Sequence, residues 1–146
     1  MSLVIAVDGT LTTRAELPER LRFVTPPPGM ANLTNVDVSA LDDAGLLFAL
    51  RFREGRDTRL FAVPPRPYFP EYQPVLDASA REAIGVGPQE DPVLLVIVHP
   101  GAEASHTANL LAPVAVNART GEAAQVVLDD GDWPLRAPLD GSTIGA

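Results

Sequence analysis

Apolar and polar positions alternate in short bursts along this chain, and breakers interrupt each burst before a long helix could form. Leu46 to Arg53 reads as a strand, Glu54-Gly55-Arg56-Asp57 as a turn, and Thr58 to Val63 as its antiparallel return, with Arg59 and Leu60 on opposite faces. Val93 to Val98 is an unbroken run of β-branched and leucine residues, the pattern of a central strand buried on both faces. Val114 to Asn117 and Gln125 to Leu128 flank Arg119-Thr120-Gly121-Glu122, a second hairpin in which Gly121 supplies the positive φ of a tight turn. Leu3 to Val7 and Arg22 to Val24 have strand character, and Thr10 to Glu19 is read as a short helical turn limited by Pro18. One segment is clearly helical: Asp77 to Gly85, with Asp77 or Ser79 as N-cap, Ser79 and Glu82 at capping-box spacing, and Gly85 closing the C-terminus.

Fifteen prolines and eleven glycines enforce this segmentation. The expected architecture is all-β: one compact antiparallel barrel-like domain over residues 1–146 with one short helix. Its core is expected over about residues 20–139, followed by a loose, small and polar tail from 140 to 146. A chain of 146 residues can bury a sizeable core without staples. There is no cysteine, so disulfides, thiolate metal sites and cysteine nucleophiles are excluded. No apolar run approaches membrane-spanning length, and the opening residues lack signal-peptide character, so a cytoplasmic, non-membrane protein is expected.

Charge sharpens the picture. The chain carries −8, and its basic residues are all arginine. Residues 89–146 hold Glu90, Asp91, Glu103, Glu122, Asp129, Asp130, Asp132 and Asp140 against Arg119 and Arg136. An acidic surface repels phosphate backbones and attracts basic proteins, which argues against direct nucleic-acid binding. Asp129, Asp130 and Asp132 are candidate steering residues for such a partner, set against a plain exposed acidic turn.

Catalytic candidates are few. His99, His106 and Glu103 flank or occupy one turn-rich loop and define the alternative reading, a small β-barrel metal- or ligand-binding enzyme. Ligand spacing is loose, and there is no nucleophile elbow or glycine-rich phosphate loop, so no catalytic residue, metal or cofactor is expected. Pro67-Tyr68-Phe69-Pro70-Glu71-Tyr72 gathers three of the eight aromatics. They either plug the barrel or make a rigid patch for a partner through Phe69 and Tyr72. In Thr107 to Asn117, asparagines bracket an apolar stretch broken by Ala112-Pro113. Asn117 reads as a structural kink residue, while Asn109, with Leu110 and Pro113, is open to either a structural or a partner-contact role.

Thr107-x-Asn109-Leu110-x-Ala112-Pro113-Val114-x-x-Asn117, followed by Gln125-Val126-Val127-Leu128, resembles the hallmark of the FliW family of flagellar assembly factors. Weaker pieces fall in the family's order: Pro28-Gly29-Met30, Phe61 to Pro64, Phe69-Pro70-Glu71-Tyr72, Leu76 to Gly85 and Asp91 to Val98. Met30 stands where the family usually has an aromatic residue, and the N-terminal segment diverges. The resemblance implies a barrel-like adaptor, with Gly29, Asn117 and Gln125 as motif positions. It implies binding, as a chaperone-like partner, to flagellin and to CsrA, a basic RNA-binding translational regulator; barrel closure separately favours a monomer. It further implies relief of CsrA's repression of flagellin mRNA through a contact outside CsrA's RNA face.

Overall fold

The computed structural model describes residues 2–6, 14–24, 34–53, 59–87, 90, 92–99, 106–128 and 133–139. The chain begins with an antiparallel pair, β1 (Ser2–Ala6) and β2 (Arg14–Pro18), in register from Ser2 opposite Pro18 to Ala6 opposite Arg14. Residues 14–18 are therefore strand, where the helical turn expected within Thr10 to Glu19 would have lain. The reason is tertiary: pairing with β1 buries Leu17 beside Ile5, a gain no single helical turn offers.

Four antiparallel strands follow as a meander: β3 (Arg20–Phe23), β4 (Asn35–Ala40), β5 (Phe48–Phe52) and β6 (Arg59–Val63). Two short helices come next, α1 (Pro65–Tyr68) and α2 (Ala78–Ala83). Then come β7 (Val93–His99), β8 (Thr107–Ala108), β9 (Val114–Val116), β10 (Glu122–Gln125) and β11 (Ala137–Pro138). The α1 turn was not expected; Pro65 at its first position suits a helix start because its missing N–H has no intrahelical partner there. In α2 the N-cap is Asp77, whose carboxylate accepts from the Ala80 N–H at 2.8 Å.

Seven strands close into a barrel, in the order β7-β6-β5-β4-β3-β10-β9 and back to β7. Neighbours are antiparallel at every joint but one, since β10 meets β3 in parallel. The long β7 serves two partners along one edge: Val93 to Leu95 pair with β9, and Val98 and His99 pair with β8, which in turn carries β11.

Alternation then sorts the side chains. Phe48, Leu50 and Phe52 point inward from β5, with the Phe52 and Phe23 rings tilted at 5.8 Å between centroids. Ile5 and Leu17 belong to the same cluster. A second apolar layer lies outside the barrel wall: Val96, Ala115 and Val63 are covered by Tyr72, Leu76, Ile84 and Leu110. Thus Leu95 and Val96, adjacent on β7, are both 0 % exposed, one in each layer, as the unbroken apolar run predicts.

The β9–β10 hairpin is present, but the return strand is Glu122–Gln125 rather than Gln125 to Leu128. Asn117 sets this register. Its carbonyl accepts from the Gly121 N–H at 2.8 Å, and its own N–H donates to Glu122 at 2.8 Å. Gly121 has φ 83°, and a Cβ there would sit 2.7 Å from the Arg20 carbonyl oxygen. Residues 126 and 128 continue extended, donating from Val126 to Pro113 and from Leu128 to Leu111, both at 2.9 Å.

Gly121→Ala should therefore cost more than about 1 kcal/mol, because left-handed backbone strain adds to a backbone clash at the β3–β10 joint. Urea unfolding of the two proteins measures this; equal midpoints would contradict it.

Candidate partner-binding surface

The Thr107 to Asn117 stretch works first as a knot in the backbone. The Asn109 carboxamide oxygen accepts from the N–H groups of Leu111 and Ala112, at 3.1 and 3.0 Å. Asn109 N–H donates to Ile97 on β7, and Leu110 N–H donates to Pro134. One polar side chain thus turns the chain between β8 and β9 without leaving buried amides unpaired. Asn117 does the same at the other end. Its Nδ2 donates to the carbonyls of Ile84 and Gly85, at 2.9 and 3.3 Å, and its Oδ1 accepts from Arg119 N–H at 2.9 Å. That ties the end of α2 to the hairpin. Gln125 Nε2 donates to Ala112 at 3.0 Å and closes the third side.

The aromatic segment docks onto this knot. Tyr72 is 1 % exposed, donates its hydroxyl to the Leu110 carbonyl at 2.7 Å, and meets the Trp133 ring edge-on at 4.7 Å. Burial pushes its phenol far above the ordinary range, so it stays a donor. Tyr68 donates to Leu46 at 3.0 Å, and burial, then the Asp42 charge, raises its pKa. Phe69 is half-buried in the same outer layer.

Of the candidate contact residues, then, Tyr72, Asn109, Leu110 and Pro113 have buried side chains and hold backbone together. A partner reaching them would first have to open the outer layer. Phe69 alone keeps partial exposure. Asp129, Asp130, Asp132, Gly29 and Glu103 lie outside the described residues, as does the segment 140–146.

Beside this layer opens a cleft of about 380 Å³ between the β1–β2 pair, the segment from Pro64 to Leu76, and the start of β7. Its walls are mainly apolar, with Pro64, Pro65, Pro74, Pro92 and Leu94 among them, and two arginines, Arg66 and Arg81, add positive charge. Arg81 is held by the carbonyls of Gly87 and Glu90, at 3.3 and 2.7 Å. Arg66 is exposed. Sequence reasoning passed over this cleft; the prolines at 64, 65, 74 and 92 were the available signal, since prolines line it without needing backbone donors satisfied. Val75, Val127 and Leu135 add exposed apolar surface elsewhere.

His99 and His106 are both exposed near the junction of β7 and β8, and neither lines the cleft. Among the described residues no group of three or more His, Asp or Glu is placed to hold a metal ion. No helix among them is long and apolar enough to cross a membrane.

Comparison with known proteins gives one consistent result. The family model described as FliW protein matches residues 7–139. The flagellar assembly factor FliW of Syntrophotalea carbinolica is 32% identical over 117 residues, covering 80% of this chain and 84% of that one. Its counterpart from Bacillus subtilis is 27% identical over 117 residues, covering 80% and 82%. A crystal structure of the flagellar assembly factor FliW superposes with a TM-score of 0.75 at 21% identity, covering 95% of this chain and 96% of that one, a likeness of fold.

Tyr72→Phe should cost about 1–3 kcal/mol, the penalty for stranding the buried Leu110 carbonyl. Trp133, the single tryptophan, reports the unfolding. A second expectation concerns acid. The Gly87 N–H, then Arg119 at 2.9 Å, hold the Glu90 carboxyl below its ordinary 4.5. Its stabilising contribution is therefore present above that value and lost as pH falls through the lower folded value. Thermal melts of Glu90→Gln and the parent should differ at neutral pH and converge in acid; a constant gap would refute the linkage.

Proposed function

The chain belongs to the FliW family, and from that membership we propose that it is a flagellar assembly factor acting by binding protein partners in the cytoplasm, without catalysis. The partners are flagellin, held in a chaperone-like complex, and CsrA, whose repression of flagellin mRNA it relieves. Free protein holds CsrA off the message; flagellin accumulating before export draws the protein away and restores repression. This is a shift in population set by relative affinities and amounts.

The observation that carries the reading is the family match across residues 7–139, which takes in the Thr107 to Asn117 knot that organises the fold. Two physical features support it. The apolar cleft beside α1 suits an apolar helix, the type of segment flagellin presents at its ends. The acidic run Asp129-Asp130-Gly131-Asp132 suits a basic regulator approached by electrostatic steering.

The test is a pull-down with cognate flagellin and CsrA. The folded chain should retain each, and added flagellin should release CsrA. Retention of neither by folded protein would remove the proposal. Replacing Asp129, Asp130 and Asp132 with asparagine should slow CsrA association at low salt and matter little at high salt. A rate unchanged at every ionic strength would refute the steering role.

A further inference from the structure

The barrel gathers arginine on one wall. Directly opposed residues in neighbouring antiparallel strands share a face. Arg20 on β3 lies opposite Asp37 on β4, Asp37 opposite Arg51 on β5, and Arg51 opposite Arg59 on β6. A parallel row runs beside it: Glu122 pairs with Arg22, Arg22 with Asn35, and Arg53 N–H donates to the Asn35 carbonyl. Burial alternates so that Leu21, Val36, Leu50 and Phe52 face the core while the arginines face out. Five of the chain's eleven basic residues stand on this one patch of a protein whose net charge is −8.

Among the described residues the internal pairing is incomplete. Asp37 is shared between Arg20 and Arg53 at long distances, 3.8 and 3.7 Å, and Arg22 pairs with Glu122 at 2.7 Å. Arg51 makes no ion pair with a described residue, and Arg59 lies over the Phe61 ring at 5.3 Å. Glu19 stands at the corner before β3, and residues 54–58 lie outside the described part. Like charges directly opposite one another, as at Arg51 and Arg59, cost stability. Folding alone does not call for that pair.

We propose that this arginine wall docks an acidic segment of a protein partner. The inference goes beyond flagellin and CsrA and does not depend on either. Guanidinium forks bind carboxylates bidentately, and two residues along a strand span about 7 Å, near the spacing of carboxylates one turn apart on a helix. A protein segment fits better than a nucleic acid. The ring face of Phe61 is already covered by Arg59, leaving no platform there on which a base could stack.

The full chain and a fluorescent peptide of alternating glutamate and alanine provide the test, read by anisotropy at low and high salt. The double substitution Arg51→Ser, Arg59→Ser should weaken binding about tenfold or more at low salt, whereas Arg119→Ser, Arg136→Ser, which removes the same charge elsewhere, should change it less than about twofold. Exposed changes of this kind leave folding intact, and the wall variant should melt no lower than the parent. Equal losses in the two variants would overturn the proposal by reducing the effect to net charge. It would also fall if labelled oligouridylate bound more tightly than the peptide through the same arginines, or if the wall variant abolished self-association of the chain in sedimentation, making a second copy the occupant.

Discussion

The joint between β3 and β10 spans only two paired residues on each strand, Arg22 with Glu122 and Phe23 with Ala123, yet it closes the barrel between the first meander and the last hairpin. Two further backbone bonds extend it, from Arg22 N–H to Gly121 and from Val24 N–H to Ala123, at 2.8 and 2.9 Å. A parallel joint this short holds only if β10 is delivered in one register. The Asn117 turn and Gly121 deliver it, and the inward Leu21, Phe23 and Ala123 lock it by burial. Closure removes the exposed sheet edge that these two strands would otherwise present to other chains.

The same turn also anchors the outer layer. Asn117 reaches the carbonyls of Ile84 and Gly85 just past α2, so the hairpin that closes the barrel also positions the segment covering it. Through Tyr72 and Leu110 that segment is fastened to the β8–β9 connection. The residues that stand out most in the sequence are thus spent on internal satisfaction of backbone groups. The surfaces proposed for partners lie on other residues: the proline-walled cleft and the arginine wall across β3 to β6.

Charge along the sequence differs from charge on the folded sheet. Net negative charge concentrates late in the sequence, and eight of the eleven arginines fall between Arg14 and Arg66, in groups around Arg20 and from Arg51 to Arg59. Strand pairing brings Arg20 and Arg22 beside Arg51, Arg53 and Arg59, residues some thirty to forty positions apart, with only Asn35 and Asp37 between them.

Strand identity was legible because period-two alternation and breakers act locally: β5, β6, β7, β9 and α2 follow directly from their own residues. The all-β class, the buried character of β7, the turn at Gly121 and the family resemblance carried by Thr107 to Asn117 were set at that level. Three things were decided only by tertiary contact. Residues 14–18 became strand because β1 offered a partner and a buried place for Leu17. Tyr72, Asn109, Leu110 and Pro113 became interior because the segment carrying Tyr72 packs against the β8–β9 connection, and burial depends on what lies opposite, which no local pattern records. The arginine wall arose from register, since side chains far apart in sequence share a face only once the strands between them have paired.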